Sequence, residues 1–107
     1  KQAVALAKEQ GKPLLVDFSA SWCGACQELE HKTFSDPRVV REGERFISVR
    51  VDLSPGKDSP ENREALASYQ QRGLPLVVLH DPSGEAAARV TSFVNADEFL
   101  GLMRQVK

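Results

Sequence analysis

Cysteine is scarce in this chain, with two in 107 residues. One disulfide at most can form, which excludes a multiply cross-linked secreted scaffold. Long apolar runs are missing too. Leu14-Leu15-Val16 and Leu76-Val77-Val78-Leu79 fall far short of the roughly 18–20 residues needed to span a bilayer. Charge of one sign is lacking, since 14 Lys and Arg stand against 15 Asp and Glu. With no block of like charges, the chain has no electrostatic footprint for nucleic acid or an anionic membrane surface. Internal repeats and low-complexity tracts are absent. So are an initiator Met and a signal-like apolar stretch, which suggests an excised domain or a processed product.

What is present is enough for one packed domain. Hydrophobic residues at 41% and charged residues at 27% match a globular chain rather than a disordered one. Residues 1–107 fit a single core of ordinary size. The expected element order is α-β-α-β-α-β-β-α. A first helix over residues 1–10 places Ala3, Leu6 and Ala7 on one face and stops at Gly11. Leu14–Ser19 has the length and apolarity of a central strand, interrupted by Asp17. From Trp22, a helical reading places Cys23, Cys26, Leu29, Glu30, Thr33 and Phe34 at three- and four-residue spacing, and Asp36-Pro37 opens a brief second piece.

Phe46–Leu53 alternates with the period of a strand. Ser59-Pro60 caps a helix that presents Ala65, Leu66 and Tyr69 and ends at Gly73. Leu76–His80 and Ala87–Phe93 read as strands of an antiparallel hairpin joined by Asp81-Pro82-Ser83-Gly84. Asn95 with Glu98 has the form of a capping box, and Ala96, Phe99, Leu100, Met103 and Val106 make the core stripe of a last helix. The fold class is therefore α/β, a mixed sheet with helices on both faces.

The chemistry lies in Trp22-Cys23-Gly24-Ala25-Cys26, placed after a buried strand at the start of a helix. Cysteines three apart on a helix share a face and come within disulfide reach. Backbone N–H groups of a first helical turn, and the positive end of the helix dipole, favour a thiolate there. Cys23 at the entrance is expected to be the more exposed and more acidic nucleophile, with Cys26 shielded one turn further in as the resolving thiol. A zinc site would need about four ligands, and only His31 and His80 are available without a second CxxC. No metal and no organic cofactor is expected. A purely structural bridge closing so short a loop would constrain little of the unfolded chain.

Val16-Asp17-Phe18-Ser19-Ala20-Ser21-Trp22-Cys23-Gly24-Ala25-Cys26 resembles the active-site segment of the thioredoxin superfamily, and Gly73-Leu74-Pro75 lies where that family has its cis-proline loop. Further residues resemble the C-terminal periplasmic domains of the DsbD-type thiol:disulfide interchange proteins: Cys26-Gln27-Glu28-Leu29-Glu30, Lys32-Thr33-Phe34-Ser35-Asp36-Pro37, and the Gly-Leu-Pro form of the loop. The resemblance implies a thioredoxin fold over nearly the whole chain. It also implies a monomeric domain at the periplasmic face of the bacterial inner membrane. There it would take electrons from a membrane-embedded domain and pass them to an N-terminal periplasmic domain, which supplies disulfide isomerases and cytochrome c maturation. Gly-Ala between the cysteines is nearer the general thioredoxin Gly-Pro, so a free-standing thioredoxin-like reductase is an alternative reading. A binding module with incidental cysteines is another.

Asp17 sits in an apolar strand, where desolvation is expected to raise its pKa, and from there it could take the Cys26 proton. Glu30, one turn beyond Cys26, gains its expected place at the site from the resemblance. Two carboxylates near the cysteines would oppose the helix dipole. The resemblance also implies a cis Pro75, with the Leu74 backbone presented to an extended partner. Trp22 is expected to border a shallow docking surface with Gly24 and Ala25. His31 and His80 are assigned no role, and Phe18, Phe34, Phe46, Phe93 and Phe99 are core candidates.

Overall fold

The computed structural model describes residues 2–71 and 73–106. Lys1, included in the expected first helix, and Arg72, included in the helix expected to reach Gly73, lie outside them. The elements are α1 (Gln2–Gln10), β1 (Leu14–Ser19), α2 (Gly24–Glu28), a π-helical turn (Leu29–Thr33), α3 (Pro37–Gly43), β2 (Ile47–Asp52), α4 (Pro60–Ala67), β3 (Leu76–His80), β4 (Ala86–Val90) and α5 (Ala96–Gln105).

The strands form a mixed sheet in the order β2-β1-β3-β4. β1 runs parallel to β2 and antiparallel to β3, and β4 returns antiparallel to β3. All of β3 is buried, as its unbroken apolar run Leu76–Leu79 requires of a strand covered on both faces. Leu14, Val16 and Phe18 of β1 pack with Leu76 and Val78 against Ala7 of α1 and Leu66 of α4. On the opposite face Leu15, Val77 and Leu79 meet Val39 of α3 and Phe99, Leu100 and Met103 of α5. Helices thus cover both faces, as expected.

The helix starts follow local chemistry. Asp36 accepts from the Arg38 N–H ahead of Pro37, Ser59 accepts from the Asn62 N–H ahead of Pro60, and Asn95 forms a full capping box with Glu98. At the end of α1, Gly11 takes a φ of 67° while the Lys12 N–H reaches back to the Ala7 carbonyl, a closure that glycine makes without steric cost.

Several expectations need correction. The helix expected from Trp22 to Phe34 breaks into α2 and the π-helical turn, where the Phe34 N–H bonds the Leu29 carbonyl at 2.8 Å. In α1 it is Ala3 and Val4, with Ala7, that face the core, and Leu6 is 44% exposed. β4 stops at Val90, which leaves Phe93 at 37% exposure rather than in the core. α4 ends at Ala67, and Gln70 follows with a φ of 59°. Tertiary contacts hold Tyr69 beyond that end: its ring meets Phe18 edge-on at 5.7 Å, and Arg89 donates to its carbonyl. The Tyr69 hydroxyl is 2.8 Å from Nε2 of buried His80, whose Nδ1 is 2.9 Å from the Gly84 carbonyl oxygen. His80 is therefore a satisfied structural residue.

Candidate active site

The site lies at the C-terminal end of β1, where the chain turns through residues 20–23 into α2. The Cys23 N–H bonds the Ala20 carbonyl at 3.2 Å. Gln27 donates from Nε2 to the same carbonyl at 3.1 Å. From the other side, the Ser21 N–H donates to Ser54 Oγ at 2.9 Å, and the Ser54 N–H donates to Asp52 Oδ1 at 2.9 Å. Asn62 of α4 donates to the Asp52 and Lys57 carbonyls. The turn is consequently pinned to its own helix and to the loop after β2. The sequence alone assigns these pinning roles to none of Ser54, Gln27 and Asn62, whose side-chain partners lie from 5 to 33 positions away.

Cys23 occupies the N-cap of α2 in an extended conformation, and its Sγ accepts from the Cys26 N–H at 3.2 Å. The two cysteines are joined as a disulfide, with Cα atoms 5.2 Å apart. Cys26 Sγ lies 4.0 Å from the Phe18 carbonyl oxygen, a position from which the reduced thiol can donate. The expected contrast in exposure is absent. Cys23 is 6% exposed and Cys26 4%, because Cys23 packs as the cap into the same core cluster as Val16 and Leu66.

Around the disulfide the surface is apolar and open. Trp22 is 63% exposed. Gly24 is exposed, and a Cβ there would meet nothing within 4 Å. Ala25 is half-buried. The Leu74–Pro75 peptide is cis, as expected, with Pro75 buried and Leu74 half-buried. A groove of about 410 Å³ runs between Trp22, Leu53, Leu66 and Leu74, with Asp58 and Arg63 at its polar rim.

Of the two carboxylates, one is desolvated and the other is paired. Asp17 is half-buried, and among the described residues its carboxyl makes no hydrogen bond to another side chain. Burial is the main cause that pushes its pKa up to about 6; Arg50 opposes the shift and Glu30 adds to it. Glu30 does not stand free beside the cysteines. Arg50 grips it from β2, Nη1 to Oε1 at 2.9 Å and Nη2 to Oε2 at 3.2 Å. That hydrogen-bonded pairing is the main cause holding the Glu30 carboxyl below its ordinary value, against some desolvation. Arg50 is also the register partner of Asp17 across the parallel pair β1–β2. From the sequence, Arg50 is only a polar position in an alternating strand. Its signal lies in the pairing register of two strands about thirty residues apart, which alternation alone does not reveal.

Among the described residues no group of three His, Cys, Asp or Glu side chains is placed to hold a metal ion. No described helix is long and apolar enough to cross a membrane.

The architecture has close counterparts. The C-terminal domain of DsbD from Neisseria meningitidis, in its oxidised form, superimposes with a TM-score of 0.80 at 29% identity, covering 99% of this chain and 90% of that one. A thioredoxin from Thermus thermophilus gives a TM-score of 0.79 at 32% identity, covering 97% and 80%. Among curated proteins, the thiol:disulfide interchange protein DsbD of Vibrio vulnificus is 35% identical over 108 residues, and that of Yersinia pestis 40% identical over 101. Those alignments take in 99% and 92% of this chain but only 18% and 16% of the relatives, so the chain spans less than a fifth of their length. The family model of the thioredoxin-like domain matches residues 1–107, and the chain belongs to that family.

Proposed function

We propose that this chain is a thiol:disulfide oxidoreductase domain of the DsbD C-terminal kind, cycling Cys23 and Cys26 between dithiol and disulfide. The observation that carries this is the Cys23–Cys26 disulfide at a helix cap, opening beside exposed Trp22 and the Leu74–Pro75 loop. The likeness to DsbD, in sequence and in structure, supports the same reading. In the family setting residues 1–107 form one domain of a larger inner-membrane protein and work at its periplasmic face. A membrane-embedded domain supplies the electrons, and an N-terminal periplasmic domain accepts them. The redox-active pair is the only redox group the reaction requires.

The chemistry follows from the positions of the sulfurs. In the reduced domain the Cys26 N–H aimed at Cys23 Sγ favours negative charge on that sulfur. Cys23 Sγ attacks a partner disulfide; one partner sulfur leaves as a thiolate and the other is held in a mixed disulfide. Cys26 then loses its proton to Asp17 and attacks Cys23 Sγ. The Cys23–Cys26 bond forms, the mixed disulfide breaks, and the second partner sulfur leaves with the electron pair. Two electrons have passed from the domain dithiol to the partner disulfide, and a dithiol of the membrane-embedded domain restores the pair by the reverse sequence. Trp22, Gly24 and Ala25 form the contact rim, and the Leu74 backbone receives the extended partner segment.

The test is a trapping experiment. Reduced Cys26→Ser protein mixed with a disulfide-bonded protein substrate should accumulate a mixed disulfide through Cys23, and Cys23→Ser should accumulate none. Absence of any adduct would leave a thioredoxin-fold docking module. The Thermus thioredoxin match favours a second reading, a free-standing reductase. Preferential trapping of a DsbD N-terminal periplasmic domain over general disulfide substrates separates the DsbD reading from that one.

A further inference from the structure

We propose that Arg50 is a positioning residue for the second half of the exchange: by binding both oxygens of Glu30 and facing Asp17 from the adjacent strand, it leaves the acidic pair with one net negative charge and keeps Asp17 in the carboxylate form that accepts the Cys26 proton. This deepens the proposed function and rests on Asp17 as the base. In the step it serves, the proton goes from Cys26 Sγ to Asp17 and the Cys23–Cys26 bond forms. The bond from Cys23 to the partner sulfur breaks with its electron pair on the leaving sulfur.

Arg50 stands opposite Asp17 in the β1–β2 register and reaches across to the π-helical turn to hold Glu30 through two hydrogen bonds. Two-point binding fixes the planar guanidinium, which a single contact would not. From the other elements, Asp17 meets few charges. Val77 faces it from β3. Asp17 lines a second groove, of about 310 Å³ and distinct from the one beside Trp22; Glu44, at the end of α3, shares it, while Phe34, Val39 and the α5 residues Phe99 and Met103 line it with apolar surface. Asp52 follows Arg50 on β2 and acts on it, and His31 lies next to Glu30 on the π-helical turn and acts on that carboxyl; among the described residues Arg50 is the guanidinium that acts on both Asp17 and Glu30. Its removal leaves Glu30 as an uncompensated neighbour of a half-buried acid, and like charges favour protonation of the buried member. A protonated Asp17 cannot accept the Cys26 proton.

The readout is the pH profile of the resolving step, followed by stopped-flow as release of the second thionitrobenzoate after the reduced protein reacts with Ellman's reagent. In Arg50→Gln the acid limb should move to higher pH by about one unit, giving about a fivefold slower resolution at pH 6 and none of that deficit at pH 9. Glu30→Gln should move the limb the opposite way, because Arg50 then acts on Asp17 alone. The double variant Arg50→Gln/Glu30→Gln should return toward the wild-type profile, a rescue that general damage to the fold would not produce. Glu30→Gln keeps the test alive if Arg50→Gln folds poorly. A limb that stays in place in Arg50→Gln, or does not move in Glu30→Gln, overturns the proposal. If Asp17→Asn retains the wild-type limb, the base assignment falls with it; if Asp17→Asn abolishes the limb but Arg50→Gln does not move it, only the role of Arg50 falls. Failure of Cys23 to react at all would overturn the oxidoreductase reading itself.

Discussion

Asp17 makes the folded domain sensitive to pH in a direction opposite to that of its surface acids. Its pKa rises from 3.8 to about 6 on folding, chiefly through burial. Between those values the folded chain holds a proton that the unfolded chain has already released, so stability falls as pH rises through that window. The cost is small below pH 4, grows between pH 4 and 6, and levels off above pH 6. From the two pKa values it amounts to about 3 kcal/mol at neutral pH, an upper bound for a half-buried group in contact with water. For a domain with a total stability of about 5–15 kcal/mol this is a large fraction. Urea unfolding of the oxidised protein, from pH 3.5 to 7.5, isolates the effect when wild type and Asp17→Asn are compared, since the disulfide removes both thiols from the titration. The wild type should lose up to about 3 kcal/mol relative to Asp17→Asn across that range, with most of the change between pH 4 and 6. The paired surface acids, such as Asp36 with Arg38 and Asp58 with Arg63, have lowered values and act in the other direction at lower pH. They cancel in the comparison. A pH-independent difference between the two proteins would refute the claim that burial strains the Asp17 carboxylate.

Trp22 is exposed enough that Trp22→Ala should change unfolding free energy by no more than about 0.5 kcal/mol, yet it should raise KM for a protein disulfide substrate by about 5–30-fold, the loss typical of an aromatic contact residue. Steady-state reduction of such a substrate measures this, and an unchanged KM would remove Trp22 from the docking surface. Thr33 is fully buried and donates from Oγ1 to the Val94 carbonyl at 2.5 Å. Thr33→Val, which keeps the shape but leaves that carbonyl unpaired, should cost about 1–3 kcal/mol in urea unfolding while trapping at Cys23 proceeds normally.

Features carried by short-range chemistry are legible in the sequence. The cysteine spacing, the proline-preceded caps at Asp36 and Ser59, the Asn95–Glu98 box and the Asp81–Gly84 turn each depend on residues within a few positions of one another. Asp17 is legible too, since a carboxylate within an apolar strand signals its own desolvation. The positions where expectation and structure part depend on distant partners. Tyr69 leaves the helical pattern because Phe18, His80 and Arg89 hold it. Leu29 to Thr33 keep a helical hydrophobic spacing while the backbone takes one wider turn, and periodicity does not distinguish the two. Glu30 is an acid on the turn after α2, and its charge state depends on Arg50, twenty residues later and on another element. The exposure of Cys23 escapes the sequence for a related reason: an N-cap faces solvent or core according to what packs above it.

That packing has a kinetic consequence. With Cys23 only 6% and Cys26 only 4% exposed, the pair should exchange more slowly with a small thiol than with a protein that fits over it. Thiol–disulfide exchange depends on access as well as on driving force, and under the proposed function access comes with a surface that fits the rim between Trp22 and the Leu74–Pro75 loop. A compartment can hold several thiol pools at different potentials. In a domain built this way, the fit of the partner joins the surrounding redox buffer in setting how fast the pair exchanges.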